Sequence, residues 1–168
     1  MKKIDFTFMQ DKNTTLSQLR AGITPVAVKA PITLLWHASF TRDGDSTVDS
    51  FSLLAISIYM SRHEMTEYLL GLGENSNSVS SKHRFPSLLL AKDDRMYELL
   101  IRCKVDYLYA LQLAFQEILD SQIRPYLIIS LIRLLTFLHK HFGSTPEINA
   151  VIFKNAHIMN ELNHAQLN

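Results

Sequence analysis

At 168 residues, 47% hydrophobic and 20% charged, the chain has the balance of one globular domain with a real core and lacks the charge excess of a disordered one. Its 17 basic and 16 acidic side chains leave a net charge of +1, which gives no general attraction for a phosphate backbone, so nucleic acid is not an expected partner. Cys103 is the single cysteine, which excludes an intramolecular disulfide and points to a reducing compartment.

Behind Lys2 and Lys3, the polar residues Asp5, Gln10, Asp11 and Lys12 interrupt any apolar core of a secretory signal, so the expected location is cytoplasmic. Ile4, Phe6 and Phe8 alternate with Asp5 and Thr7, as in a short strand or an extended arm. Residues 15 to 20 read as a helical turn ended by Gly22, and Pro25 and Pro31 forbid a long helix across residues 22 to 31. Residues 32 to 40, with Trp36, read as a short apolar helix, and residues 41 to 50 as a turn or hairpin loop rich in Asp, Gly, Ser and Thr.

From 52 to 60 and from 64 to 72 the apolar residues recur at helical spacing, separated by Ser61, Arg62 and His63, which predicts a helix-turn-helix. Gly73 stands where a left-handed cap is needed, and residues 74 to 83 form a polar loop. Residues 86 to 90 and 96 to 103 predict a shorter second pair, broken near Lys92, Asp93 and Asp94. A helix follows from 107 to 119. Pro125 opens another that runs to about Phe142 and stops at Gly143. Its apolar run from 126 to 138 carries Arg133 and falls short of the ~20 residues that span a bilayer, so it reads as a buried helix with Leu127, Leu131, Leu134, Leu135 and Leu138 on the inner face. Ser144 and Glu147 have capping-box spacing with Pro146 in the first turn, so a last helix is predicted to start there and fray near Asn163.

Residues 50 to 77 resemble the ankyrin repeat, whose period is about 33 residues and whose T-P-L-H-x-A signature opens the first helix. Ser52-Leu53-Leu54-Ala55-Ile56-Ser57 takes the place of that signature, His63 and Glu64 fall at the family's Gly-His and nearby Glu, and Tyr68-Leu69-Leu70 matches its leucine run. Gly73 and Asn77 land on the Gly and Asn of the following loop. The consensus Thr-Pro and first-helix His are absent. Phe85-Pro86-Ser87-Leu88-Leu89-Leu90-Ala91 restarts the pattern, with Leu99-Leu100 and Val105-Asp106 echoing the second helix and loop. This unit is about three residues short between Ala91 and Leu100, so its first helix or its turn should be clipped. Upstream, Gly22-Ile23-Thr24-Pro25-Val26 resembles a further repeat opening. The resemblance implies an all-α single domain: an N-terminal arm over residues 1–49, ankyrin-like repeats over 50–106, and a C-terminal helical cap over 107–168, each repeat burying its apolar face only against its neighbours.

Chemistry-bearing alternatives are fewer. His139 and His141 stand two apart, on different faces of a helix, and no HExxH or Cys-His pairing accompanies them, so no metal is expected. His63 and Glu67 share a helical face at acid-base spacing, but the ankyrin register already accounts for His63 as a turn residue. Asp43, Asp45 and Asp49 have the density of a calcium loop without its glycine or its bidentate glutamate. Cys103 lies beside Arg102 and Lys104 within an apolar helix pattern and reads as a buried thiol. With five glycines in all, there is no phosphate-cradling loop, nucleophile elbow or dinucleotide fingerprint.

The expectation is therefore a non-enzymatic protein-interaction module without a cofactor, an adaptor of the bacterial-effector kind that meets a host or regulatory protein. On the resemblance, its variable surface positions are Asp49, Phe51, Tyr59 and Met60, with Lys82, His83, Phe85 and Asp93 at the matching places of the next unit. For Phe51 and Phe85 inward packing is equally open. The competing expectations are a helical enzyme or inhibitor with a site between repeats and C-terminal helices, and a homodimer paired through its long helices.

Overall fold

A computed structural model describes residues 32–36 and 47–165, with side chains from 47 to 160. Most described residues are helical, as expected for an all-α chain, and a two-stranded antiparallel ribbon is added at the N-terminal side. The expected strand at 4 to 8, the turn at 15 to 20, the repeat opening at 22 to 26 and the loop at 41 to 46 lie outside the described residues.

The expected apolar helix at 32 to 40 is instead strand β1 (Ile32–Trp36), and the end of the expected loop is strand β2 (Thr47–Phe51). They pair from Ile32 opposite Phe51 to Trp36 opposite Thr47. A short apolar run fits a strand as well as a helix, and the partner decides between them. In β2, Thr47, Asp49 and Phe51 turn inward while Val48 is exposed, the two-residue alternation of a half-buried strand.

The expected helix-turn-helix is formed by α1 (Leu53–Tyr59) and α2 (His63–Gly71). Ser52 caps α1 by accepting from the Ala55 amide at 3.1 Å. At its other end Ser61 N donates to Ile58 O and Arg62 N to Ser57 O, a Schellman motif with Ser61 at φ 53°. The same motif ends α2, with Gly73 N to Leu70 O, Glu74 N to Leu69 O, and Gly73 at φ 87°. Between the two helices the buried hydroxyls of Ser57 and Thr66 meet at 2.9 Å, and Ser57 also donates to Leu54 O, so neither is left unsatisfied in the core. Leu69 is fully buried, and Leu70 is half-buried at the edge of the core.

The expected shorter second pair follows. Its first helix is a single 3-10 turn (Ser87–Leu90), and its second is α3 (Asp94–Arg102). All four residues of the turn are buried, and it packs against α1 and two C-terminal helices. α3 ends in a third Schellman motif, Lys104 N to Ile101 O and Val105 N to Leu100 O, with Lys104 at φ 63° where the first unit has glycine.

The C-terminal helices are α4 (Tyr107–Glu117), α5 (Arg124–Phe142), α6 (Pro146–Lys154) and α7 (Ala156–Ala165). Pro125 lies in the first turn of α5 and Gly143 stops it at φ 68°. Leu127, Leu131, Leu134 and Leu138 are buried along it and Leu135 is half-buried; each full burial contributes about 2 kcal/mol. The last expected helix is divided and starts one residue later than expected. Pro146 takes the first helical position, so the cap falls to Thr145, whose hydroxyl accepts from Ile148 N, while Ser144 bonds Asn149 instead. Asn155 interrupts the helix: its side-chain amide donates to Val151 O at 2.8 Å, competing with the backbone ladder.

Candidate functional site

The eight surface positions expected from the ankyrin register are distributed by the fold into three groups. Asp49, Phe51, His83 and Phe85 are buried. Phe51 and Phe85 join the core, Phe85 with its ring 5.3 Å from that of Tyr126. The Asp49 carboxylate, 2% exposed, accepts from the amides of Lys82 at 2.8 Å and His83 at 3.3 Å, and from Ser81 Oγ. It fastens the 79–86 hairpin onto β2, where the Val79 to Pro86 bridge and the Phe85 N to Ser80 Oγ bond close the turn. Lys82 is exposed, and its ammonium donates to Thr47 Oγ1.

Asp93 is the second group. Its carboxylate caps α3 through the Met96 amide at 2.9 Å and receives Ser61 Oγ and His63 Nε2, each at 2.9 Å. One side chain thus starts the second helix of one unit and holds the turn of the unit before it. Burial acts to raise the Asp93 pKa, but these hydrogen bonds outweigh it and hold the carboxyl below its ordinary value. Ser61 and His63 both address the carboxylate rather than each other, so the hydroxyl has no base and the trio is not arranged as a nucleophilic triad. Further along, Asn77 Oδ1 accepts from the Asp106 amide at 2.8 Å while Asp106 caps α4, a second tether between successive loops.

His63 and Glu67 do line one groove, of about 260 Å³, between α2 and α3 with Glu64, Arg95, Glu98 and Arg102. Glu67 there is engaged by Arg102 at 3.3 Å and His63 by Asp93, so the acid-base pair is not formed. At the end of α5, Lys140 donates to Asp94 at 2.6 Å and the His141 ring stacks on Phe137. Among the described residues no three His, Cys, Asp or Glu side chains converge as metal ligands, and no helix is long and apolar enough to cross a membrane.

The third group, Tyr59 and Met60, stands at the C-terminal end of α1, with Tyr59 exposed and Met60 half-buried. Here the fold brings in residues outside the expected set. Lys92 Nζ sits 3.5 Å from the centre of the Tyr59 ring, a cation-π contact. Arg133 reaches across from α5, its guanidinium donating to Ala91 O at 3.4 Å; the buried Tyr97 hydroxyl donates to the same carbonyl at 3.1 Å. Ala91 is extended, φ −63° and ψ 139°, because the 3-10 turn ends there, and its carbonyl is consequently not used up by a helical ladder. Burial pushes Tyr126, which also feels Tyr59 and Arg133, up to about 12. Burial and the Arg133 charge push Lys92 below its ordinary value. Ile129, exposed on α5, lies one turn before Arg133 on the same helical face.

Lys92 and Arg133 were not among the expected site residues. The signal for Arg133 was its isolation in an otherwise apolar helix; Lys92 had none, since its placement follows from the clipped turn.

No family model matches the chain, and neither a curated protein nor a solved structure matches it.

Proposed function

We propose that this chain is an ankyrin-like protein-interaction module whose binding face is centred on Tyr59 and Met60. The ankyrin reading is supported by two successive units, each ending its second helix in a left-handed cap at Gly73 and Lys104, with Asp93 and Asn77 tethering neighbouring turns and loops. The single observation that carries the binding reading is the solvent-facing Tyr59 ring, flanked by Met60, Lys92 and Arg133 at the end of a first helix. Tyrosine and arginine dominate interface hot spots because each offers a large contact area with polar reach. The role of an adaptor toward a host or regulatory protein in a cytoplasmic, reducing compartment rests on the ankyrin resemblance and the single cysteine.

Affinity capture followed by mass spectrometry, using wild type against a Y59A/M60A variant, tests the reading. A partner enriched by the wild type and lost from the variant, with the melting temperature of Y59A nearly unchanged, is expected. Equal capture by both proteins overturns it.

A further inference from the structure

We infer that Lys92 and Arg133 form a seat for a carboxylate, so that the segment received at the Tyr59 face is an acidic one with an apolar neighbour. The inference deepens the interaction reading and rests on it. Three surface cations are paired with carboxylates: Arg84 with Glu117, Arg102 with Glu67 and Lys140 with Asp94. Among the described residues neither Lys92 nor Arg133 has one. The acids that follow Lys92 in the chain are committed elsewhere, Asp93 to Ser61 and His63, Asp94 to Lys140 and His141.

Arg133 bonds the carbonyl of the residue before Lys92, so two like charges stand near each other at this place. Burial, and after it the Arg133 charge, lowers the Lys92 basicity. The fold fixes both: Lys92 lies on the Tyr59 ring, and Arg133 is steered by the Ala91 carbonyl. An incoming carboxylate relieves the repulsion and gains charge-assisted hydrogen bonds from both cations at once. Beside Lys92 the exposed Tyr59, and one turn before Arg133 the exposed Ile129, offer apolar area to the residue next to the acid.

The test is an NMR titration of ring-labelled tyrosine in the full chain with two blocked pentapeptides, Gly-Glu-Leu-Glu-Gly and its Gly-Gln-Leu-Gln-Gly counterpart, the Tyr59 signal being assigned with Y59F. The acidic peptide is expected to shift the Tyr59 resonance saturably, the neutral one not. K92Q and R133Q should each weaken that binding about tenfold or more, as for close interfacial charge pairs, with K154Q as a distant control that leaves it unchanged. R133K, which keeps the charge if R133Q proves unstable, should bind more tightly than R133Q. Equal binding of both peptides, or indifference to K92Q and R133Q, overturns the carboxylate seat while leaving the Tyr59 face standing. No shift with either peptide also overturns the seat, and the capture experiment then decides the interaction reading on its own.

Discussion

The two helix-turn-helix units differ in one element. In the first, α1 is a capped helix whose exposed end presents Tyr59; in the second, the matching element is a 3-10 turn with all four residues buried. The second helices, α2 and α3, are each nine residues long and end in the same Schellman geometry. Shortening a first helix thus leaves the stacking element intact and changes what surrounds the gap. α4 and α5 close over the turn, the Ala91 carbonyl is left for Tyr97 and Arg133, and Lys92 swings onto the Tyr59 ring of the complete unit. The complete unit supplies the aromatic residue and the clipped one the charge.

The largest expected effect comes from placing a carboxylate at the matching centres of the two units. Leu69 in α2 and Leu89 in the 3-10 turn are both fully buried, so Leu69→Asp and Leu89→Asp should each cost more than about 4 kcal/mol, read by urea unfolding. If Leu89→Asp is tolerated, the clipped turn is not the centre that its packing makes it.

Next in size is Asp93, which joins the units, whereas Ser52 caps α1 and meets the Ser78 hydroxyl at 3.3 Å. Asp93→Ala should cost about 2 kcal/mol, and Ser52→Ala about 1 kcal/mol, the ordinary value of a lost cap. Equal losses in chemical denaturation would reduce Asp93 to a cap without a tethering role.

The left-handed caps give a smaller contrast of opposite sign. Gly73→Ala should destabilise by about 1 kcal/mol, and Lys104→Gly should stabilise by about 0.5–1 kcal/mol, because of the caps that end α2 and α3 only the latter carries a side chain at positive φ. Thermal unfolding of both variants checks the pair.

Smallest is a pH dependence set by the hairpin at the junction. Burial holds the His83 imidazole below its ordinary 6.5, outweighing the opposing pull of Asp49 and Glu117. The folded chain therefore keeps His83 neutral while the unfolded chain protonates it. Its contribution is full above 6.5 and is lost as the pH falls through the lowered folded value. The melting temperature should decline below pH 6.5, and His83→Asn should flatten that part of the profile.

Helix ends marked by local chemistry were legible in the residue order: Gly73, Pro125 and Gly143 mark boundaries that depend on φ and on missing donors, which are properties of single residues. The short second pair, at 86 to 90 and 96 to 103, was legible through its length. The strand at Ile32–Trp36 was not, because its identity depends on pairing with Thr47–Phe51. Nor was the inward orientation of Asp49 and His83, since a register taken from the repeat family assigns positions to a surface without knowing which loops the fold draws inward. Asn155 broke the last helix through a side-chain bond to its own backbone that periodicity does not register. Of the proposed face, Tyr59 and Met60 are named by the repeat register and Lys92 and Arg133 are not, because their meeting requires α5 to cross the gap.

Hydrogen exchange on the chain bound to its captured partner tests most directly whether the two units build one face between them. The expected footprint is added protection at residues 57 to 62, at 90 to 93 and at 129 to 136 together, where Tyr59, Lys92 and Arg133 converge. Protection confined to the α2 and α3 groove around His63 and Arg102, or to α6 and α7, would contradict it.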